Sequence, residues 1–461
     1  MAEILQRLYD LSPEAFQNLM VTVENHRSLR KRRRGAYSEW KLFHTKREFA
    51  GYEDLIQIQN ERLNHFLCFA AKHSAWHRQR LRGIDLAAIK VATIAELPMM
   101  SKEDLRANSE IIATLPKERA YVAKTGGTTG AAIEVRYRWD DFQERTAMLD
   151  LFRERFVKSS KPRMAWFSGK ALIPNSRRTR TYGRTNWLDR IRYYSTFHIN
   201  ATTVSSYLRD LQTFSPHAMI GFPSSMLEIA RCADMQGLKF EGHLEAIFPT
   251  AEAMTEHERD FLREYFRCEV HDQYASSEGA PFITECPAGK LHLELLTGVF
   301  EVLDEKGQPA TEGELVVTAF GTRGTPLIRY QIGDRVGLSY SKCSCGRETP
   351  LVERIEGRPN DFVYSSERGR INLGNISNSV KNVHGIRKFQ VIQSKVSSIE
   401  VLIDADPISY RSVDEEIFLR NLRDRLGGAI EIQLTYVDDI PREVSGKHRI
   451  VKNSLDYAQL T

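Results

Sequence analysis

The chain has 461 residues, of which 41% are hydrophobic and 27% charged, and its formal net charge is +5. This length and apolar content predict roughly two or three domains with sizeable cores, and so small a net charge gives no reason to expect a nucleic-acid partner. No apolar run approaches the roughly 20 residues of a membrane span, the first residues lack the order of a signal peptide, and the cysteines are too few for a disulfide framework. We therefore expect a cytoplasmic protein.

The predicted elements alternate between helix and strand. Residues 1 to about 95 are predicted to be helical, because apolar residues from Leu63 to Ala71 recur with helical spacing. Capping boxes at Ser101–Asp104 and Thr255–Glu258 predict the starts of two further helices. Cys68 and Cys232 fall within apolar helical patterns and are predicted to lie in the core. Strands are predicted at Met164–Phe167, Ala218–Phe222, Ala246–Pro249 and Glu269–Tyr274.

The C-terminal part is predicted to be a smaller α+β unit that begins near residue 361. Its strands fall near residues 388–392, 399–403 and 430–436, around a helix at 413–426. The expected fold is therefore α/β, with layered sheets in a large N-terminal part and a smaller C-terminal domain. The expected domains are a helical N-terminal extension at 1–95, a main domain at 96–359 and a C-terminal domain at 360–461.

A run of threonines and glycines at residues 124–130 is the first motif that points to a chemistry. It reads Lys124, Thr125, Gly126, Gly127, Thr128, Thr129, Gly130. Glycines let a backbone approach a charged group closely, and hydroxyls and free N–H groups can surround phosphate oxygens. The run lacks the ending of a Walker loop, so by itself it indicates either a phosphate-binding loop or an ordinary polar turn.

Four downstream motifs carry side chains suited to a nucleotide. Tyr274–Gly279 brings together an aromatic ring, two hydroxyls and Glu278, a carboxylate of the kind that Mg²⁺ prefers. Arg329–Asp334 places an acid on a glycine turn, where it suits ribose hydroxyls. Glu356–Asp361 contains Arg358 at the predicted domain junction, and Pro441–Lys447 places a lysine on a loop near the C-terminus. Each of the four is also compatible with a purely structural role.

The ordered set of motifs resembles the adenylate-forming superfamily, and within it the phenylacetate–CoA ligase branch with its relatives from capsular-polysaccharide gene clusters. The resemblance runs from about residue 90 to the C-terminus. The segments that carry the closer match are Thr125–Gly130, Thr250–Glu252, Cys343–Arg347, Ile355–Arg358 and Ile440–Arg449.

The resemblance implies a set of residue roles. It implies that the Thr125–Gly130 loop binds the β- and γ-phosphates of ATP. It also implies that Ala251 and Glu252 lie near the adenine and that Tyr274 stacks on it. Ser277 is expected to approach the α-phosphate and Glu278 to bind Mg²⁺. Asp334 is expected to bind the ribose hydroxyls, with assistance from Arg358. It also implies that Lys447 reaches the α-phosphate and the substrate carboxylate, and that the C-terminal domain moves about a hinge near Asn360 and Asp361.

The cysteines give a second signal. Cys286 and His292 form one close pair, and Cys343 and Cys345 form another. Three thiolates and one imidazole suit a tetrahedral structural zinc site, whereas the alternative is four unrelated side chains. Members of the resembling branch with this arrangement bind zinc, which favours the first interpretation.

Three functional hypotheses follow. The leading one is ATP-dependent adenylation of a small-molecule carboxylic acid with release of pyrophosphate, then acyl transfer to coenzyme A. The second keeps adenylation but transfers the acyl or aminoacyl group to an amine, such as an amino sugar in polysaccharide biosynthesis. The third is a non-catalytic zinc and nucleic-acid-binding protein that uses two basic clusters, Arg30–Arg34 and Arg177–Arg180 with Arg184. It leaves Glu278, Asp334 and Lys447 without a role. The identity of the acid and a homodimeric state are both left open by the sequence.

Overall fold

The computed structural model falls into two compact units. The first unit comprises Met1–Asn25, Ser159–His271 and Gly357–Thr461, and the second comprises His26–Lys158 and Asp272–Glu356. The residues that the structure describes are 8–124, 133–170, 172–173, 181–252, 254–356, 362–367, 369–372, 376, 378–380, 383–441 and 448–455.

Helices are concentrated in the N-terminal part, as predicted. In chain order, α1 to α11 span Glu14–Arg32, Tyr37–Thr45, Tyr52–His73, Ala75–Arg80, Lys102–Ala107, Ser109–Ile112, Trp139–Glu154, Val204–Phe214, Pro223–Met235, Glu256–Phe266 and Ser412–Leu426. Both predicted capping boxes are confirmed at the starts of α5 and α10. The apolar stripe of α3 is buried, but the prediction for Cys68 was wrong. Its side chain is exposed, because it lies on the face of the helix opposite the buried stripe of Leu63, Phe66, Leu67 and Ala70.

The strands form five sheets. In chain order, β1 to β20 span Tyr121–Lys124, Glu134–Tyr137, Met164–Ser168, Gly183–Asn186, Ile191–Ser195, Ala218–Gly221, Ala246–Pro249, Gln273–Tyr274, Ile283–Glu285, Leu291–Leu293, Gly298–Leu303, Glu312–Ala319, Leu327–Ser339, Leu351–Glu356, Phe362–Ser365, Gly369–Asn372, Ile386–Lys395, Ser398–Ala405, Glu431–Tyr436 and Val451–Asn453.

The first unit contains a five-stranded sheet with the order β4-β5-β3-β6-β7. Strands β5, β3, β6 and β7 are parallel, and the edge strand β4 is antiparallel to β5. Every residue of β6 and β7 is buried, which explains why these strands are continuous apolar runs rather than alternating ones. The predicted strand at Glu269–Tyr274 was wrong in part. Val270 makes an isolated parallel bridge to Ile247, and only Gln273–Tyr274 form a strand, which pairs with β9.

A separate core in the first unit is formed by the C-terminal residues. Its sheet has the order β19-β18-β17-β20, and Phe418, Leu422 and Leu426 of α11 belong to the same buried cluster as Val391 of β17. The period of about 3.6 residues along α11 brings these three side chains to one face. The predicted C-terminal strands and helix are confirmed.

The second unit is built on a seven-stranded antiparallel sheet with the order β11-β12-β13-β14-β10-β9-β8. A separate hairpin, β1–β2, contributes Val135 and Tyr137 to the same core as this sheet. Among the helices that the structure describes, none combines the length and the apolar character needed to cross a membrane. The mixed sheets and helices confirm the predicted α/β class.

Candidate active site and metal centre

Three of the predicted site elements lie outside the described residues. They are the loop Thr125–Gly130, Arg358 and Lys447. The strands on both sides of the loop are described, however. β1 and β2 are antiparallel neighbours with Lys124 opposite Glu134, so the two strands on either side of the run pair with each other.

The hairpin is tied to the turn that carries Glu278. Tyr137, the last residue of β2, donates a hydrogen bond from its hydroxyl to the carbonyl oxygen of Ser277 at 2.9 Å. Burial raises the pKa of Tyr137 to about 12, so its hydroxyl stays protonated and able to donate at neutral pH. The structure therefore joins β2, the strand that follows the predicted loop, to the Glu278 turn about 140 residues further along the chain.

The turn at residues 276–280 is held from several sides. The hydroxyl of Ser276 accepts hydrogen bonds from the backbone N–H groups of Gly279 at 3.2 Å and Ala280 at 3.1 Å. From α7, the buried Arg145 donates from one nitrogen to the carbonyl oxygens of Gly279 and Ala280, both at 2.9 Å. Glu278 itself is almost fully buried. Its position is thus determined by neighbouring groups rather than by solvent.

Gly279 is required by this packing. Its φ of +107° is rarely adopted by other residues, and an added Cβ would lie 2.5 Å from Cγ2 of Thr322 and 2.6 Å from the hydroxyl oxygen of Tyr137. The glycine therefore allows the turn to sit directly against the hairpin.

Tyr274 and Asp334 also meet, although 60 residues separate them. The Tyr274 hydroxyl on β8 donates to Oδ2 of Asp334 on β13 at 2.6 Å, and Asp334 is largely buried. Gly333, just before the aspartate, has a φ of +78° and makes the local turn within the strand. An aromatic ring and a carboxylate held together in this way suit a base and the hydroxyls of its sugar.

The remaining two predicted residues belong to the first unit. Ala251 and Glu252 follow the carboxyl end of β7, the edge of a parallel sheet where ligands commonly bind. Ala251 has a φ of +69°, a strained value for a residue with a Cβ, and such strain is concentrated at functional sites. The Glu252 carboxylate accepts hydrogen bonds from the backbone N–H groups of Ser224 at 3.1 Å and His448 at 3.3 Å.

The four predicted zinc ligands come together in the second unit. The ligand atoms of Cys286, His292, Cys343 and Cys345 all lie within 4.8 Å of one another. The sulfurs of Cys286 and Cys343 are 3.7 Å apart, and Cys345 Sγ lies 3.5 Å from His292 Nε2. With ordinary zinc bond lengths, a tetrahedral site has edges of about 3.8 Å between two sulfurs and about 3.5 Å between sulfur and nitrogen. The donor set therefore fits a zinc ion.

Thr349, which the sequence did not indicate, orients the histidine of this cluster. His292 Nδ1 lies 3.2 Å from the carbonyl oxygen and 2.9 Å from the hydroxyl oxygen of Thr349. Because a carbonyl oxygen can only accept, we assign the ring proton to Nδ1, which directs the lone pair of Nε2 towards Cys345. Burial, and then the charge of Arg347, lower the pKa of His292 to about 4. The ring is therefore neutral at physiological pH, the form that binds metal.

Sequence reasoning also missed Tyr137 and Arg145, which hold the Glu278 turn. Tyr137 ends an ordinary buried strand and carries no motif. Arg145 belongs to a run of polar and charged residues on α7, and only the structure shows that this run is buried. Buried charges occur mainly where they have partners, but the sequence does not name the partner.

Comparison with known proteins identifies the family. The family model described as the CapK C-terminal domain matches residues 363–454 of this chain. Protein CapK of Staphylococcus aureus is 30% identical over 457 residues, which cover 98% of this chain and 100% of CapK. The chain belongs to the CapK family. Phenylacetate-coenzyme A ligase of Thermus thermophilus is 23% identical over 449 residues, covering 87% of this chain and 96% of that protein.

The CapK family lies in the phenylacetate–CoA ligase branch of the adenylate-forming superfamily, so the resemblance inferred from the motifs is confirmed. The chain is therefore a ligase-type enzyme. Its fold agrees with this assignment. A solved structure of 2-hydroxyisobutyryl-CoA ligase in the postadenylation state is similar with a TM-score of 0.68, at 16% identity, over 89% of this chain and 92% of that one.

Proposed function

We propose that this CapK-family protein activates a small-molecule carboxylic acid by ATP-dependent adenylation and then transfers the acyl group to coenzyme A. The observation that carries the proposal is the assembly within the second unit. The hairpin that contains the Thr125–Gly130 loop is bonded through Tyr137 to the Glu278 turn, and Tyr274 is bonded to Asp334. Phosphate, Mg²⁺, base and ribose groups would each find a suited partner in this set.

The residue roles follow from the chemistry of adenylation. Attack of a carboxylate on the α-phosphorus of ATP builds negative charge, and pyrophosphate leaves while a mixed anhydride, the acyl-adenylate, remains. The N–H and hydroxyl groups of the Thr125–Gly130 loop would bind the outer phosphates. Ser277 and Lys447 would act at the α-phosphate, where the positive charge of a lysine would offset the developing negative charge. Arg358 would assist Asp334 at the ribose.

Glu278 would hold Mg²⁺, which supplies charge neutralisation between the phosphates when it is bound. A carboxylate is the ligand type this ion prefers. The tight turn fits that role, since Ser276 and Arg145 fix the backbone on which the carboxylate is carried. In the first unit, Ala251 and Glu252 would lie against the adenine.

Zinc would have a structural role at the cluster of Cys286, His292, Cys343 and Cys345. The cluster joins the β9–β10 hairpin to the turn between β13 and β14, two segments separated by about 50 residues. A closed set of four protein ligands leaves no coordination position for a substrate. The expected effect is therefore on stability rather than on the reacting atoms.

Acid-dependent exchange of labelled pyrophosphate into ATP tests the adenylation step. The purified protein is assayed with a panel of aryl, alkyl and amino acids, and at least one acid should support exchange in the presence of Mg²⁺. Glu278→Gln is the matched control, because it keeps the size of the side chain and removes the charge that Mg²⁺ needs. Absence of exchange with every acid would refute adenylation, whereas equal exchange in the Glu278→Gln variant would refute the Mg²⁺ role of Glu278.

The acceptor is tested separately, using the acid found in the first assay. AMP release is measured with coenzyme A, with amino sugars and without either. Stimulation by coenzyme A with formation of a thioester supports the leading proposal. Stimulation by an amino sugar alone would replace it with amide formation on a polysaccharide precursor, while adenylation would still stand.

A further inference from the structure

Two apolar cores lie side by side in the first unit, and polar contacts join them. One core is formed by residues between Ala165 and Val270, and we call the segment 159–271 the sheet lobe. The other is formed by residues between Val363 and Val451, here called the C-terminal lobe. Helix α9 of the sheet lobe contacts strand β17 of the C-terminal lobe. Interfaces between separately cored lobes that rely on polar contacts can open and close more easily than a shared apolar core.

A buried ion pair lies at this contact. Nζ of Lys388 on β17 is 2.6 Å from Oε1 of Glu228 on α9, and also 2.8 Å from Oδ1 of Asp439. Only 9% of the Lys388 side chain and 4% of the Glu228 side chain are exposed. Removing one partner while the lobes stay in contact leaves the other charge buried without full compensation, so this contact is sensitive to substitution.

The segment that follows Lys447 is fixed at the same place. His448 donates its backbone N–H to Glu252, whose other oxygen accepts from Ser224 in the first turn of α9. A carboxylate at the N-terminus of a helix is favoured by the helix dipole. His448 Nε2 also lies 3.1 Å from the carbonyl oxygen of Phe389, the residue after Lys388. One network therefore runs from α9 through β17 to the residue next to Lys447.

We propose that Glu228 and Lys388 are positioning residues that dock the C-terminal lobe on α9 and thereby hold His448, the residue next to Lys447, in place for adenylation. This inference rests on the proposed function, in which Lys447 acts at the α-phosphate. The ion pair would affect the rate of adenylation through the position of Lys447, and not by contact with the reacting atoms.

Single and paired substitutions test the docking role. Lys388→Met and Glu228→Gln should each lower kcat for pyrophosphate exchange about 10- to 100-fold, in the range of coupling between contacting charges. The KM for ATP should change little. The double variant should be no slower than the slower single variant, because both substitutions remove the same contact. Lys388→Arg, which keeps the charge, should recover most of the rate.

Asp210→Asn is the matched control. Asp210 lies on α8 and pairs with the buried Arg192 at 2.7 Å, so this ion pair is similar but stays within the sheet lobe. The control variant should lose stability and keep its exchange rate. An unchanged rate in Lys388→Met, multiplicative losses in the double variant, or an equal loss in Asp210→Asn would each overturn the proposal.

Hydrogen exchange of the backbone amides gives a readout that does not depend on activity. In Lys388→Met, the amides of Ser224 and His448 should exchange faster, whereas those of α8 should not change. Unchanged protection of both amides would overturn the docking role even if the wild-type protein shows no pyrophosphate exchange. Absence of pyrophosphate exchange in the wild-type protein would refute the proposed function, whereas unchanged amide protection would refute the docking role, so the two failures are distinguishable.

Discussion

Replacement of Gly279 by alanine probes the packing that holds Glu278. The new Cβ would lie 2.5 Å from Cγ2 of Thr322 and 2.6 Å from the hydroxyl oxygen of Tyr137, at a backbone φ of +107°. The unfavourable φ costs about 1–2 kcal/mol and overpacking costs a further 1–3 kcal/mol or so. We expect Gly279→Ala to lower the free energy of unfolding by about 2–5 kcal/mol, the sum of these two costs.

Gly307→Ala separates the two contributions. Gly307 has a φ of +72°, but nothing lies within 4 Å of an added Cβ, so only the backbone cost of about 1–2 kcal/mol applies. Thr322→Ser removes the closest contact in Gly279→Ala and should restore about 1 kcal/mol of the lost stability. It keeps the hydroxyl that donates to Ala319.

Urea unfolding of the purified variants measures these differences, and pyrophosphate exchange measures the effect on the site. Gly279→Ala should lose exchange, since the displaced turn carries Glu278, whereas Gly307→Ala should retain it. If the two alanine variants were equally stable, or if Thr322→Ser gave no recovery, the steric reasoning about this turn would be refuted.

Four further predictions concern single side chains. Burial raises the pKa of Glu144, but the ion pair with Arg62 and the contact with His44 together outweigh burial and hold the pKa at about 2. The stability that this lowered pKa contributes is present above about pH 4.5 and is lost as the pH falls towards 2. The difference in free energy of unfolding between the wild-type protein and Glu144→Gln, measured by urea unfolding, should therefore shrink by about 3 kcal/mol from pH 6 to pH 2. Cys345→Ser should reduce bound zinc below about half an equivalent by metal analysis and lower the melting temperature. Equal zinc in both proteins would contradict the site. Asp334→Asn should raise the KM for ATP about 10- to 100-fold, as expected for loss of a charged hydrogen-bond acceptor, and an unchanged KM would exclude its ribose role. Lys447→Ala should abolish pyrophosphate exchange but keep acyl transfer from a pre-made acyl-adenylate, and unaltered exchange would rule out its proposed role.

Local patterns were sufficient for much of the fold. The capping boxes at Ser101 and Thr255 and the strand at Ala246–Pro249 were predicted correctly, because a cap or a short apolar run depends on a few adjacent residues. The prediction failed in part at Glu269–Tyr274, because residues up to His271 belong to one compact unit and those from Asp272 belong to the other, where Gln273 and Tyr274 pair with β9. Periodicity alone carries no information about which sheet a residue joins.

For the candidate site, too, some features were predictable from the sequence and others only from the structure. The sequence by itself determined the family, because the order of the motifs along the chain matches it, and it also picked out the two cysteine and histidine pairs that the structure brings together. The nucleotide-binding residues remain a prediction. Only the tertiary structure decided what holds them. Tyr137 and Arg145 support the Glu278 turn, Thr349 orients His292, and Lys388 pairs with Glu228. These contacts join residues far apart in the chain, and the energy of each depends on burial and distance, which a linear pattern does not contain.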